Sequence, residues 1–140
     1  MANVQVMEEV FTIQQMVQIT GLSAHTLRYY ERAGLMRQRV GRDDSSGYRH
    51  YTRQDVEWLG FIKRLRATGM PIRDVQCYTD LLRQGDETVA ARLQLLKEHR
   101  QRVEEQQDEV ERHLSAIDKK IMYYEQKHIQ QLEIGQGQCM

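Results

Sequence analysis

A regular apolar repeat in the last third of the chain constrains the fold most strongly. From Val89 to His128, mostly apolar residues recur at alternating intervals of four and three. This spacing keeps one stripe on the same side of a helix and is typical of a coiled coil. A helix from Glu87 to about Gln131 would be roughly 65 to 70 Å long and could not bury the stripe alone. We therefore predict a dimerisation helix whose interface contains Val89, Leu93, Leu96, Val103, Val110, Leu114, Ile117 and Ile121.

The segment that precedes this repeat is basic. From Arg28 to Arg73 the chain has 11 Lys or Arg and 5 Asp or Glu, a net charge of +6. The whole chain carries 20 residues of each sign, which excludes a generic polycation. A local excess of positive charge favours a surface that contacts phosphate groups, and the alternative is a solvated basic face.

Two short helices are predicted near the N-terminus. A capping box at Thr12 starts the first helix, and Gly21 ends it. Ser23 caps the second helix, which ends at Gly34. The four residues 20–23 join the two, which indicates a helix-turn-helix, in which one helix braces another that enters a DNA major groove.

The pattern between residues 36 and 52 predicts a β-hairpin, because basic and aromatic residues flank a polar turn. On its second strand, Arg49 and Tyr51 share one face, while Tyr48 and His50 share the other. One face could meet phosphate groups while the other packs. We predict that the hairpin is the wing of a winged helix-turn-helix.

Three further helices complete the predicted fold. Thr52 caps the third, Pro71 opens the fourth and Asp86 caps the long dimerisation helix. The fold class is mainly α: an N-terminal winged helix-turn-helix with a small β-hairpin wing, then a long C-terminal dimerisation helix. The predicted boundaries are an N-terminal extension 1–10, a DNA-binding domain 11–84, a coiled-coil helix 85–131 and a flexible tail 132–140.

Several motifs in the first half carry a family resemblance. They are residues 11–13 leading into 20–23, TLRYYERAGL at 26–35, GYRHY at 47–51 and LRATGM at 65–70. Over residues 11 to 83 the chain resembles the MerR-type transcriptional regulators, and it is similar to their short aldehyde- and thiol-stress branch, which has no added effector domain. The resemblance implies a homodimer, paired through an antiparallel coiled coil, that binds a two-fold symmetric operator within promoter DNA. Distortion of that DNA then brings the promoter elements into register for RNA polymerase.

The same resemblance implies which side chains contact DNA. The matching positions are Ser23, Thr26, Arg28 and Tyr29 on the second helix, Arg49 and Tyr51 on the wing, and Lys63 and Arg66 on the third helix. On the same helix, Leu27 and Tyr30 could be core residues instead of contacts to DNA, and Glu31 could hold a neighbouring arginine.

The signal that such a regulator would detect is encoded less clearly. Arg64 stands where the stress branch often has a cysteine, so Cys77 is the remaining candidate sensor. The alternative is that Cys77 is simply a small buried apolar residue. The Cys and His residues show no clustered spacing of the kind that zinc requires. We therefore predict no metal site and no cofactor, and keep a metal-sensing regulator that uses Cys or His as an alternative.

Other classes of protein find little support in the sequence. No nucleophile motif, glycine-rich phosphate loop or paired carboxylates indicate an enzyme. There is no long apolar run and no signal peptide, so we expect a cytoplasmic protein with no membrane partner. A coiled-coil adaptor for other proteins is the main alternative to a regulator.

Overall fold

The computed structural model describes residues 9–38 and 40–137. Arg39, most of the predicted N-terminal extension and the end of the predicted tail, with Cys139, lie outside the described residues. The elements in chain order are β1 (Val10–Phe11), α1 (Ile13–Thr20), α2 (Ala24–Arg32), β2 (Gly41–Arg42), β3 (Arg49–Thr52), α3 (Arg53–Ala67), α4 (Ile72–Gln84), a 3-10 turn (Asp86–Thr88) and α5 (Val89–Gly137). This confirms the predicted fold class. We call β2, β3 and the residues 43–48 between them the wing.

The helix-turn-helix forms through local hydrogen bonds at its predicted ends. At the start of α1, the backbone N–H of Gln15 donates to the Thr12 hydroxyl (3.2 Å), and that of Thr12 donates to the Gln15 side chain (2.8 Å). Gly21 ends α1 in the left-handed conformation with φ 74°. Ser23 caps α2 by accepting a hydrogen bond from the backbone N–H of Thr26 (3.0 Å). The predicted capping residues are therefore confirmed.

The sheet has three strands in the order β1-β3-β2, all antiparallel. Phe11 lies opposite Tyr51 across β1 and β3, and Arg42 lies opposite Arg49 across β2 and β3. The sequence predicted only the hairpin of β2 and β3. The strand β1 was missed because two residues are too few to show the alternation that marks a strand.

The core lies between the helix-turn-helix, the sheet, α3 and α4. Its fully buried side chains are Met16, Leu27, Leu35, Tyr51, Leu59, Ile62, Met70 and Val75. The indole N–H of Trp58 donates to the carbonyl of Leu35 (2.7 Å), and its ring stacks on Tyr78 with 5.9 Å between the ring centres. A close-packed core of this kind supports α2 from behind.

Side chains of α4 bind the carbonyl groups that follow α2. The side-chain amide of Gln76 donates to the carbonyl of Ala33 (2.8 Å). The guanidinium of Arg83 donates to the carbonyls of Gly34 (3.2 Å) and Met36. These bonds pair carbonyls of the segment that follows α2, and a cation near the C-terminus of a helix is favoured by the helix dipole.

The start of α5 differs from the prediction. Asp86 begins a 3-10 turn and does not cap the long helix, because the Thr88 hydroxyl binds back to the carbonyl of Gly85 (2.8 Å). The expected cap at Asp86 is therefore wrong, and α5 begins at Val89.

The described residues form two compact units, one that ends at His99 and one that starts at Arg100. In the first unit, Leu95 and Leu96 of α5 pack against the core, and Nε2 of His99 lies 2.7 Å from the Thr68 hydroxyl. The boundary predicted at residue 84 lies earlier than this division, because these first turns of α5 pack with the elements before them.

The second unit is the remainder of α5, whose apolar residues are largely exposed. Val110, Leu114, Ile117 and Ile121 are each about half exposed, between 48% and 55%, and Val103 is half-buried. The helix ends at Gly137, beyond the predicted Gln131. The described helices include none with the length and apolarity that crossing a membrane requires.

Candidate nucleic-acid interface

The first turn of α2 exposes small hydroxyl groups. The Ser23 hydroxyl donates to that of Thr26 (2.9 Å), which links two of the predicted contact residues at the N-terminus of the helix. Arg28 and Tyr29 follow on the exposed side, while Leu27 and Tyr30 are buried. The four predicted positions on α2 therefore lie at or near the surface, and the core reading of Leu27 and Tyr30 is confirmed.

A groove of about 500 Å³ lies between the start of α1, the helix α2 and the wing. Its lining residues are Thr12, Ile13, Gln14, Arg28, Gly47, Tyr48 and Arg49. Arg28 of α2 and Arg49 of β3 thus meet on one concave surface, although 21 positions separate them in the sequence. Two guanidinium groups that face one groove create a positive potential, which attracts phosphate.

A carboxylate on α2 binds both strands of the wing. Nε of Arg49 donates to Oε2 of Glu31, and Nη2 of Arg42 donates to Oε1 of Glu31 (3.3 Å). The side chains of Glu31 and Arg49 are 21% and 25% exposed, so this pair is partly shielded from water. Glu31 was expected to hold one neighbouring arginine, and in the structure it holds two.

Tyr51 occupies a different place from the one that the resemblance implied. Its ring is fully buried, and its hydroxyl has no hydrogen-bond partner among the described residues. Burial raises the pKa of Tyr51, and the charge of Glu31 raises it further. The side of β3 that carries Tyr51 packs against the core, so this side chain does not form part of the exposed surface.

The exposed aromatic residue of the wing is Tyr48, which is 78% exposed and lines the groove. It follows Gly47, whose φ of 71° lies in the left-handed region that favours glycine. The preceding turn is held by Asp43, which accepts hydrogen bonds from the Ser45 hydroxyl (2.7 Å) and backbone N–H (2.8 Å). These bonds lower the pKa of Asp43. Alternation predicted Tyr48 on the face opposite Tyr51, but Tyr48 was not among the residues predicted to contact DNA.

The two predicted positions on α3 lie outside the groove lining. Nζ of Lys63 donates to the carbonyl of Thr20 (2.9 Å), which places it beside the turn of the helix-turn-helix. Nη1 of Arg66 donates to the carbonyl of Met70 (2.7 Å), at the turn between α3 and α4. Both side chains are exposed, and each keeps further N–H donors beyond the bond described.

Cys77 is exposed, so its reading as a buried apolar residue is wrong. It lines a shallow depression of about 380 Å³ on α4 together with Arg73, Gln76, Asp80, Leu81 and Gln84. Within residues 9–38 and 40–137, no three His, Cys, Asp or Glu side chains are grouped so that they could hold a metal ion.

Two family models match this chain. The model of the MerR HTH family regulatory protein matches residues 11–82, which include the helix-turn-helix, the wing, α3 and most of α4. The model described as MerR, DNA binding matches residues 56–121, which continue along the long helix.

Individual relatives agree with these models. An uncharacterized HTH-type transcriptional regulator of Haemophilus influenzae is 33% identical, over 82% of this chain and 84% of its own length. The HTH-type transcriptional regulator AdhR of Bacillus subtilis is 46% identical, over 65% of this chain and 64% of its own.

Solved structures give the same result. HiNmlR, a MerR family regulator lacking the sensor domain and crystallised bound to promoter DNA, superposes with a TM-score of 0.76 at 32% identity, covering 84% of this chain and 92% of its own. A putative MerR family transcriptional regulator from Listeria monocytogenes gives a TM-score of 0.80 at 30% identity, covering 90% and 98%.

Proposed function

The chain belongs to the MerR family of DNA-binding transcriptional regulators, and from this premise we propose that it binds a two-fold symmetric operator as a homodimer and controls transcription by distorting promoter DNA. The family consists of regulators and not of enzymes. The observation that carries the proposal is the groove in which Arg28 and Arg49 meet beside the first turn of α1.

The groove and α2 have separate roles in this proposal. Arg49, Tyr48 and the start of α1 contact the phosphate backbone and fix the position of the protein on the duplex. α2 is the recognition helix, and Ser23, Thr26, Arg28 and Tyr29 reach base edges or adjacent phosphates from it. Lys63 and Arg66 add backbone contacts beside the helix-turn-helix, and Tyr51 supports the wing from the core.

Dimerisation is supported by the exposed apolar residues of α5. An isolated helix that exposes valine, leucine and isoleucine at intervals of four and three gains stability when a second helix covers them. A dimer would also present two copies of the recognition helix, which explains why such an operator would be two-fold symmetric. In the proposal, residues 11–84 bind DNA and residues 85–131 hold the dimer together.

Promoter distortion and action on RNA polymerase complete the proposal. Deforming a duplex costs free energy, and contacts from two heads on one duplex can offset that cost. HiNmlR, at 32% identity, was crystallised on promoter DNA, which supports the same kind of target here. We propose that the protein acts in the cytoplasm, where its DNA target would lie. The sensing role assigned to Cys77 stays a prediction.

The test is selection of bound duplexes from a random library, followed by footprinting of the selected sequence at a stated salt concentration. We expect a two-fold symmetric site. Arg28→Ala should lower discrimination between this site and random duplex by about 1 to 3 kcal/mol if Arg28 binds a base in bidentate fashion.

Arg73→Ala is the matched control, because Arg73 is exposed on α4 and does not line the groove. It should leave discrimination unchanged. A selection that enriches no sequence would refute the proposal, and equal losses on both duplexes in Arg28→Ala would reassign Arg28 to a phosphate.

A further inference from the structure

We propose that Glu31 is a positioning residue that sets the wing against the recognition helix and thereby determines how strongly the protein prefers its operator. The inference rests on the function proposed above, because it concerns the same DNA-binding surface.

The geometry joins three elements through one carboxylate. Glu31 lies in the last turn of α2, and its two oxygens bind different arginines, Arg49 of β3 and Arg42 of β2. Those arginines lie directly opposite each other on the two strands of the wing. A single side chain of the recognition helix therefore fixes the position of both strands.

This arrangement leaves Arg49 prepared for a second partner. The ion pair uses Nε, and the two terminal nitrogens of Arg49 have no hydrogen-bond partner among the residues that the structure describes. Arg49 also lines the groove together with Arg28. A guanidinium held at Nε keeps its other donors for a phosphate, and a side chain ordered in advance loses less entropy on binding.

Charge and position predict opposite results when Glu31 is neutralised. A carboxylate close to a phosphate path repels DNA, so charge alone predicts that Glu31→Gln binds every duplex more tightly. If Glu31 positions Arg49, the same change weakens binding to the operator, where the wing and the recognition helix must both fit. The sign of the change in operator affinity therefore distinguishes the charge effect from the positioning effect.

The experiment compares the wild type, Glu31→Gln and Asp44→Asn on the selected operator and on a random duplex of equal length, at one salt concentration. Asp44 is the matched control, since it is an exposed carboxylate on the turn of the wing. We expect Asp44→Asn to bind both duplexes at least as tightly as the wild type. Glu31→Gln should bind the random duplex at least as tightly but the operator roughly tenfold more weakly.

Two further variants keep the test independent of folding. Glu31→Asp retains the charge but is one methylene shorter, and it should also lose operator preference. In a background with both Arg42→Gln and Arg49→Gln, Glu31→Gln should have no further effect on the operator beyond its charge effect on the random duplex. Thermal unfolding of each variant is measured alongside binding.

Two results would overturn the inference while leaving the proposed function intact. One is a Glu31→Gln protein that binds the operator at least as tightly as the wild type does, and the other is an equal loss of affinity on both duplexes. A wild-type protein that prefers no duplex would overturn the proposed function, and this inference with it.

Discussion

Replacing Tyr51 by phenylalanine tests which face of β3 packs against the core. The change removes one oxygen atom and leaves the ring in place. The hydroxyl is buried with no hydrogen-bond partner among the described residues, and an unsatisfied buried group costs about 1 to 3 kcal/mol. We expect Tyr51→Phe to raise the free energy of unfolding by about 1 kcal/mol. For a chain of this size the rise in Tm is about 3 to 4 °C.

The assay is thermal unfolding followed by circular dichroism at one protein concentration, because the stability of a dimer depends on concentration. Tyr48→Phe is the matched control, since the Tyr48 side chain is 78% exposed and its hydroxyl is accessible to water. Its free energy of unfolding should change by less than about 0.5 kcal/mol. Operator affinity should be unchanged in Tyr51→Phe, because a buried hydroxyl does not touch a duplex.

Either of two results would refute this reasoning. A loss of more than about 1 kcal/mol in Tyr51→Phe would mean that the hydroxyl has a stabilising partner. A loss of operator affinity at unchanged stability would mean that Tyr51 reaches DNA, as the family resemblance implied.

Three other outcomes are expected. The raised pKa of Tyr51 means that the folded state holds the phenol proton more tightly than the unfolded state does. The contribution of this proton to stability is therefore complete below about pH 10 and falls as the pH rises through the folded-state pKa. In urea unfolding, the free energy of unfolding should fall less at alkaline pH in Tyr51→Phe than in the wild type. Gly41→Ala should lower the free energy of unfolding by about 1 kcal/mol, because its new Cβ would lie 2.1 Å from Nε2 of His50 and overpacking strains the wing. Thermal unfolding should show a smaller loss in a His50→Ala background. Leu114→Asp should give a monomer by light scattering, whereas Ser115→Asp, outside the apolar stripe, should not.

The helix-turn-helix was predictable because its signals are local. The capping box at Thr12, the left-handed Gly21 and the cap at Ser23 each involve residues no more than four positions apart. Neighbours along the chain determine such bonds, whatever the rest of the molecule does. The long helix α5 was also predictable, since the period of its apolar stripe is a property of a helix itself.

The wing required information that no local pattern holds. Alternation predicts that Arg49 and Tyr51 share one face and that Tyr48 and His50 share the other, and each pair combines an aromatic with a basic or titratable side chain. Which face packs depends on partners distant in sequence, such as Glu31, 18 positions before Arg49. The strand β1 and the exposure of Cys77 also depend on tertiary packing.

The bonds from α4 to the end of α2 have a mechanical consequence. Gln76 and Arg83 donate hydrogen bonds to the carbonyls of Ala33, Gly34 and Met36. Any shift of α4 must therefore carry the end of α2 with it or break these three bonds. Cys77, the exposed neighbour of Gln76 on α4, lies next in sequence to the side chain that makes the first of these bonds.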